Sequence, residues 1–238
     1  MEVTLSPIGI VHSCFKEKFG VPRQPGLVSE ARAVIELLPP FNRAEFVRGL
    51  DGFSHLWVLF LFHHSMKDGW NPTVRPPRLG GKKRVGVFAS RSPFRPNPIG
   101  MSAVKLDEIN SEKGNMNLHV SGVDLIDGTP VMDIKPYVSY SDSIADAISG
   151  YAVQAPEKHL DVIFSDEALQ RLEEESKKYE GLERLIIKML DTDPRPAYYK
   201  PRHSDSEFAF KLLDLEIKWK VVEDKVVVSE IAMAETGK

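Results

Sequence analysis

RVGVFASRSPFRPNPIGMSAVK, residues 84–105, packs strand signal, rigid turns and positive charge more densely than any other stretch of the chain. Val85, Val87 and Ala89 alternate with Arg84, Gly86, Phe88 and Ser90, the period of a half-buried strand. Pro93, Pro96 and Pro98 each remove a backbone donor and fix φ, so residues 92–100 are expected to form a stiff loop, neither helix nor central strand. Arg91 and Arg95 ride on it. Two guanidinium groups on restrained backbone lose little entropy on binding, which suits a phosphate, a carboxylate or an RNA edge. The same arginines on a plain surface crossover would meet only solvent.

Working outward, the 238 residues exceed the usual size of one domain and predict a large domain with a smaller appendage. The polar, turn-rich stretch 139–156 puts the boundary near Pro156, giving domains 1–155 and 156–238. Lysines and arginines number 31 against 34 acids, a net charge of −3, which argues against a generally basic nucleic-acid binder. The distribution matters more than the sum. Residues 67–105 hold nine basic side chains (Lys67, Arg75, Arg78, Lys82, Lys83, Arg84, Arg91, Arg95 and Lys105) against the single acid Asp68. An anionic partner would be steered to one face. Cys14 is the only cysteine, so no intrachain disulfide and no cysteine-based zinc site can form, and a reducing setting is expected. No charged leader with a long apolar stretch opens the chain, and the longest apolar run, residues 56–62, is too short to span a bilayer. A soluble, cytoplasmic protein without membrane partners and without a bound metal is the expectation.

Along the chain, Ile8 and Ile10 open a first strand. KEKFGVPRQPG, residues 16–26, then mounts Arg23 and Gln24 between Pro22 and Pro25, the same device of polar side chains on stiff backbone. Residues 33–38 read as a strand ended by Pro39 and Pro40. Asn42 and Glu45 look like a capping pair, with Gly49 as a stop, and predict a short helix over 43–48. LWVLFLF, residues 56–62, reads as a strand buried on both faces, and it runs into His63 and His64. That histidine pair is either packing or a functional group at the end of a buried strand. WNPTVRPPRLGG, residues 70–81, reads as an extended excursion without regular structure.

Strands are predicted over 102–109 and 117–125. Asp127, Gly128, Thr129 and Pro130 form a tight-turn signal before a strand over 131–137, which places Asp133 and Lys135 on one face and Ile134 on the other. Beyond the boundary, residues 162–164 are strand-like. Ser165 caps a helix in which Leu169 and Leu172 repeat, and 182–190 is a second helix. TDPRPAYYKP, residues 192–201, sets Arg195, Tyr198, Tyr199 and Lys200 among prolines, a mixture that fits stacking on unpaired bases and also fits plain packing. Residues 208–222 and 226–233 alternate strongly and pair through a turn at 223–225.

No G-x-G-x-x-G opens a helix, and G-x-x-x-x-G-K-[ST], H-E-x-x-H and G-x-S-x-G are all missing. Strand follows strand before any long helix. The fold class is therefore mainly β, an antiparallel β-barrel N-terminal domain followed by a smaller α+β C-terminal domain.

VPRQPG (21–26), RGLDGFSHLWVLFLFH (48–63), RPPRLGG (75–81), GVFASRSPFRPNPIGMS (86–102), DGTPVMDIKPY (127–137) and DPRPAY (193–198) together resemble the TsaA/TrmO family over nearly the whole chain. The resemblance implies a β-barrel methyltransferase that uses S-adenosylmethionine (S-adenosyl-L-methionine). It implies methylation of N6 of threonylcarbamoyladenosine beside the anticodon of threonine tRNA, by a homodimer. It also implies that the methyl donor lies against Pro22, Arg23, Gln24, His63, His64, Arg91, Met101, Asp127, Gly128, Thr129 and Pro130.

The acceptor nitrogen lies between an aromatic ring and a carbonyl, so a base would help, and Asp133 and His63 are the catalytic candidates. Arg91 would serve the donor's carboxylate. Arg95 and Lys135 would hold the threonyl carboxylate, Arg75, Arg78, Lys82, Lys83 and Arg84 the phosphates, and Asn97, Arg195 and Tyr198 further substrate or RNA contacts. Two other functions fit the same residues: a non-catalytic RNA-binding barrel, which would not take up the donor, and a methyltransferase of this scaffold acting on a small molecule.

Overall fold

Side chains alternate between inside and outside along β1 (Gly9–Ser13) and β2 (Arg32–Leu37), so that Val11, Ala33, Ile35 and Leu37 point inward while His12 faces out. A computed structural model describes residues 2–112, 114–154, 160–191, 193–195, 206–223 and 225–235. Contacts divide the chain into two units, Met1–Ser13 with Arg23–Val153 and Cys14–Pro22 with Gln154–Lys238.

In the first unit β2 is followed by the one-turn helix α1 (Ala44–Val47) and by β3 (His55–Leu61). A two-residue hairpin, β4 (Thr73–Val74) with β5 (Val85–Gly86), precedes β6 (Ile99–Glu112), β7 (Asn115–Ser121), β8 (Thr129–Pro136) and the short helix α2 (Ser139–Asp142). Six strands close a barrel in the order β1-β2-β7-β6-β3-β8, and every neighbouring pair is antiparallel. Closure removes the sheet edges. Val11, Ile35, Leu56, Val58, Val104, Leu118, Val120 and Val131 fill the interior, each contributing roughly 1.5–3 kcal/mol by burial.

The second unit holds β9 (Asp161–Phe164), α3 (Asp166–Glu175), α4 (Leu182–Leu190), β10 (Glu207–Leu212), β11 (Leu215–Val222) and β12 (Lys225–Met233). Its sheet runs β10-β11-β12-β9, with β9 parallel to β12. Ser165 caps α3 by accepting from the Ala168 amide at 3.2 Å. Leu182, Leu185, Ile186, Met189 and Leu190 form the buried stripe of α4. Trp219 is fully buried and stacks with Phe208. Among the described residues no helix is long and apolar enough to cross a membrane.

Several local expectations change. The strand read over 84–90 shrinks to Val85–Gly86, and Val87–Ala89 turns into a 3₁₀ segment because the Val87 amide bonds Pro72 O and Val87 O accepts from both the Ser90 amide and the Ser90 hydroxyl. Asn42 does not cap α1; its amide reaches Asn115 Oδ1 at 3.1 Å, and Arg43 takes the cap position without a side-chain bond. β3 is buried on one face only: Leu56, Val58 and Phe60 are inside, while Trp57, Leu59 and Leu61 are half-exposed. β6 begins at Ile99, inside the segment read as loop, as soon as Pro98 is past. The excursion 70–81 contains β4 and a 3₁₀ turn at Pro77–Leu79. Residues 208–222 form two strands, folded back at Leu213, whose φ is +58°.

Candidate functional site

Antiparallel closure places the ends of β1, β3 and β7 and the starts of β2, β6 and β8 at one rim. Residues 23–31, the long connection 62–98 and the short connection 122–128 therefore share a single mouth. Arg23, Gln24, His63, His64, Arg91, Arg95, Asp127 and Gly128 all lie on these connections, and Thr129 and Pro130 open β8 at the same rim. A set scattered over more than a hundred positions of sequence is what a barrel-mouth pocket requires. Pro22 falls in the second unit.

Hydrogen bonds lace the connections together. Arg91 Nη1 donates to Gln24 Oε1, and Gln24 Nε2 donates to Arg23 O. The Gly26 amide donates to Gly122 O at 2.8 Å, joining the first connection to the third. Asp127 Oδ1 accepts from the Ser13 amide at 2.9 Å, the Gly128 amide donates to Val11 O at 2.8 Å with φ +76° at Gly128, and Thr129 Oγ1 donates to Ile126 O at 2.6 Å. The DGTP turn is thus pinned to the end of β1. His63 and His64 open a 3₁₀ segment, His63–Asp68, with ring centroids 4.3 Å apart.

Asp124, which the sequence reading passed over, is the most perturbed acid of the mouth. Burial pushes its carboxyl up to about 6, against the pull of a hydrogen bond from Ser102 Oγ at 2.5 Å and the charge of Arg91. Ser102 is 1% exposed on the inner face of β6. An aspartate three residues before a turn carries no local signal; only folding brings it to Ser102 and Arg91.

Beside the mouth, Met66, Trp70, Pro93, Arg95, Pro96 and Pro98 line a small cleft. The Asn71 amide donates to Phe94 O at 3.1 Å and fastens the tryptophan segment to the proline loop, while Arg95 Nη1 donates to Ser90 O at 3.1 Å. Trp70 and Phe88 are 61% and 80% exposed on the basic segment.

Asp133 and Met101 stand elsewhere. Both pair with Leu59, in one row across β8, β3 and β6 on the outer face of the wall, about 10 Å apart by strand spacing. Asp133 meets Lys135 at 2.7 Å, and its Oδ1 accepts from the Ile134 amide. Arg75, Arg78, Lys82, Lys83, Arg84 and Asn97 are exposed on the 62–98 connection, with Arg84 donating to Thr73 Oγ1 at 2.8 Å. Arg195 is 6% exposed and makes two hydrogen bonds to Asp193, of 2.9 and 3.0 Å, so a buried ion pair takes the place of the expected RNA contact. Tyr198 lies outside the described residues.

The donor implied by the resemblance carries a carboxylate and two positive centres, a sulfonium and an ammonium. The mouth brings the charge of a guanidinium, Arg91, to bear on a half-buried carboxyl, Asp124, so the donor set fits in sign.

The profile of the tRNA-methyltransferase O N-terminal domain matches residues 10–143, and that of the TrmO C-terminal domain matches residues 157–234. A tRNA (adenine(37)-N6)-methyltransferase of Escherichia coli (strain K12) is 50% identical over 216 residues, 91% of this chain and 92% of that protein. A putative S-adenosylmethionine-dependent methyltransferase RcsF of Pseudomonas aeruginosa is 46% identical over 220 residues, 92% of this chain and 93% of that one. The crystal structure of TrmO from Pseudomonas aeruginosa superposes with a TM-score of 0.80 at 39% identity, covering 98% of this chain and 99% of that one. With both domain profiles matched and the barrel shared along its whole length, the chain belongs to the tRNA-methyltransferase O family.

Proposed function

We infer that this chain is an S-adenosylmethionine-dependent tRNA methyltransferase acting on N6 of the adenine at position 37. The observation that carries the reading is the convergence of Gln24, Arg91 and Asp124 at the mouth of a barrel bordered by a basic, proline-stiffened segment. We further propose that the acceptor nitrogen bears a threonylcarbamoyl group and that the substrates are threonine isoacceptors, in the cytoplasm.

The donor supplies a methyl group on a sulfonium centre. Arg91, held by Gln24, meets the donor's carboxylate; Arg23, His63, His64 and the pinned turn Asp127, Gly128, Thr129 and Pro130 wall the site. Arg95, at the edge of the cleft, binds the threonyl carboxylate, which adds an anion to the nucleoside. Arg75, Arg78, Lys82, Lys83 and Arg84 take backbone phosphates, and Trp70 stacks on an unpaired base. The lone pair of the acceptor nitrogen is delocalised into ring and carbonyl, so alignment supplies much of the rate and a base removes the proton. His63 stands at the mouth for that role. Asp133 and Met101 on the outer wall join the site through the exposed apolar face of β6, where Ile99 is 39% and Met101 51% exposed. A second copy of the chain covers this face.

Purified protein incubated with donor and threonine tRNA, followed by mass spectrometry of the anticodon-loop nucleosides, tests the activity. One added methyl on the threonylcarbamoyladenosine is expected. An unchanged nucleoside beside a methylated control from a known enzyme would refute it.

A further inference from the structure

We propose that Asp124 is the counter-ion for the positive charge of the methyl donor. The proposal rests on the donor reading above and adds a residue to it. Asp124 lies on the 122–128 connection, between Ser121 at the end of β7 and the turn that opens β8. Ser102 Oγ donates to Asp124 Oδ1 at 2.5 Å, and Ser102 itself is buried on the inner face of β6. The carboxyl is thereby anchored from the barrel side.

Among the described residues it makes no ion pair. The cation whose charge reaches it, Arg91 from the 62–98 connection, donates its hydrogen bond to Gln24 instead. The third element packed here, β1, contributes Ser13, whose amide is taken by Asp127 and whose hydroxyl donates to Leu125 O at 2.7 Å. Neither of these is a cation.

A half-buried carboxylate with no cation paired to it is unfavourable, and the cost shows as a raised proton affinity, up to about 6. Proteins keep such a group where a ligand completes it. A sulfonium or an ammonium at the mouth does so: it neutralises Asp124, while Arg91 answers the carboxylate of the same donor. Were Asp124 only a strut for the turn, its carboxylate would stabilise the fold, and a neutral replacement would weaken it.

Calorimetric titration of the full chain with S-adenosylmethionine and with S-adenosylhomocysteine, between about pH 5 and pH 7 to stay below the titration of the donor's amine, provides the test. Wild-type affinity for S-adenosylmethionine should fall roughly tenfold across that range as the carboxylate is protonated. Asp124→Asn should bind at least about tenfold more weakly at the upper pH, and the fall in its affinity across the range should be much smaller than in the wild type. Ser102→Ala keeps the carboxyl but loses the bond that favours its ionised form, so the midpoint of its profile should move to higher pH. If the sulfonium is the partner, S-adenosylhomocysteine shows little pH dependence; if the ammonium is, both ligands behave alike. Thermal melting at the upper pH confirms that Asp124→Asn is folded. Wild-type-like affinity and pH profile in Asp124→Asn would overturn the proposal while leaving the donor reading intact. Failure of the wild type to take up S-adenosylmethionine at any pH would overturn both.

Discussion

Arg91 donates a hydrogen bond to Gln24 across 67 positions of sequence, tying together two connections that the chain builds separately. Each is stiffened by prolines, Pro22 and Pro25 on one side and Pro93, Pro96 and Pro98 on the other. A guanidinium held this way is already oriented for a carboxylate, so its binding energy is not lost to ordering.

Arg91→Ala should therefore weaken S-adenosylmethionine binding by roughly 10- to 100-fold, about 1.5–3 kcal/mol for a hydrogen bond to a charged group. Gln24→Ala should cost less, a few-fold, because the charge stays and only its aim is lost. Arg91→Lys should not restore affinity, since a lysine has no fork to share between Gln24 and the ligand. Calorimetry reads all three; equal affinity in Arg91→Ala would take Arg91 out of the donor site.

Asp124 predicts an unusual pH dependence of stability. Its folded value, about 6, lies above the ordinary 3.8, so the native state holds the proton more tightly than the unfolded chain does. The stabilisation is complete below the unfolded value and is lost as pH rises through the folded one. Near pH 7 Asp124→Asn should be more stable than wild type, by ~1–3 kcal/mol, and near pH 3.5 the two should converge. Denaturant unfolding across that window is the measurement, and a less stable Asp124→Asn at neutral pH would contradict the assignment.

Trp70 and the basic side chains should separate by salt. Stacking is worth ~1–3 kcal/mol per base and is not electrostatic, so Trp70→Ala should lower tRNA affinity 5- to 100-fold at an unchanged salt slope. Arg78→Ala with Lys82→Ala should instead make the slope shallower, because fewer counterions are released. Fluorescence anisotropy over a salt series distinguishes them. If the wild type sediments as a dimer and Trp70→Ala as a monomer, the tryptophan belongs to a protein contact instead.

Gly100 marks a packing constraint on the wall. A Cβ there would run into the ring of Phe60, itself 5% exposed and edge-on to Phe62 at 5.1 Å. Gly100→Ala should destabilise by about 1–3 kcal/mol, and adding Phe60→Leu should recover part of that loss. A double-mutant cycle by chemical denaturation checks the coupling.

Met101→Glu places a charge on the exposed outer face of β6. If a second copy covers that face, the variant should sediment as a monomer under conditions where the wild type sediments as a dimer. Identical sedimentation of the two would move the interface elsewhere.

Local chemistry was enough for much of the fold. Runs of strand-forming residues bounded by prolines and turn signals placed β2, β3 and β8 within a residue or two, although the unbroken apolar run of β3 hid that only one of its faces is buried. Ser165 announced α3 as a residue whose hydroxyl satisfies an orphan amide, and the apolar stripe of 182–190 bounded α4 to the residue. Where a long-range partner competes with a local rule, the sequence misled. Asn42 looked like a cap until Asn115 claimed its side chain. Leu213 turns the chain at a residue with no turn signature, since pairing of β10 with β11 outweighs the strain of its positive φ.

The sequence by itself determined that the chain is a strand-built protein with its charge gathered on residues 67–105, and that prolines hold Arg23, Gln24, Arg91 and Arg95 on stiff backbone. Only the tertiary structure decided which of these meet. Barrel closure carried Gln24 to Arg91 and Asp124 to Ser102 and sent Asp133 and Met101 to the outer wall, while the second unit buried Arg195 against Asp193. The reason is physical: alternation and turn chemistry are written in neighbouring residues, whereas the charge state of a carboxyl depends on groups that only folding brings within its field.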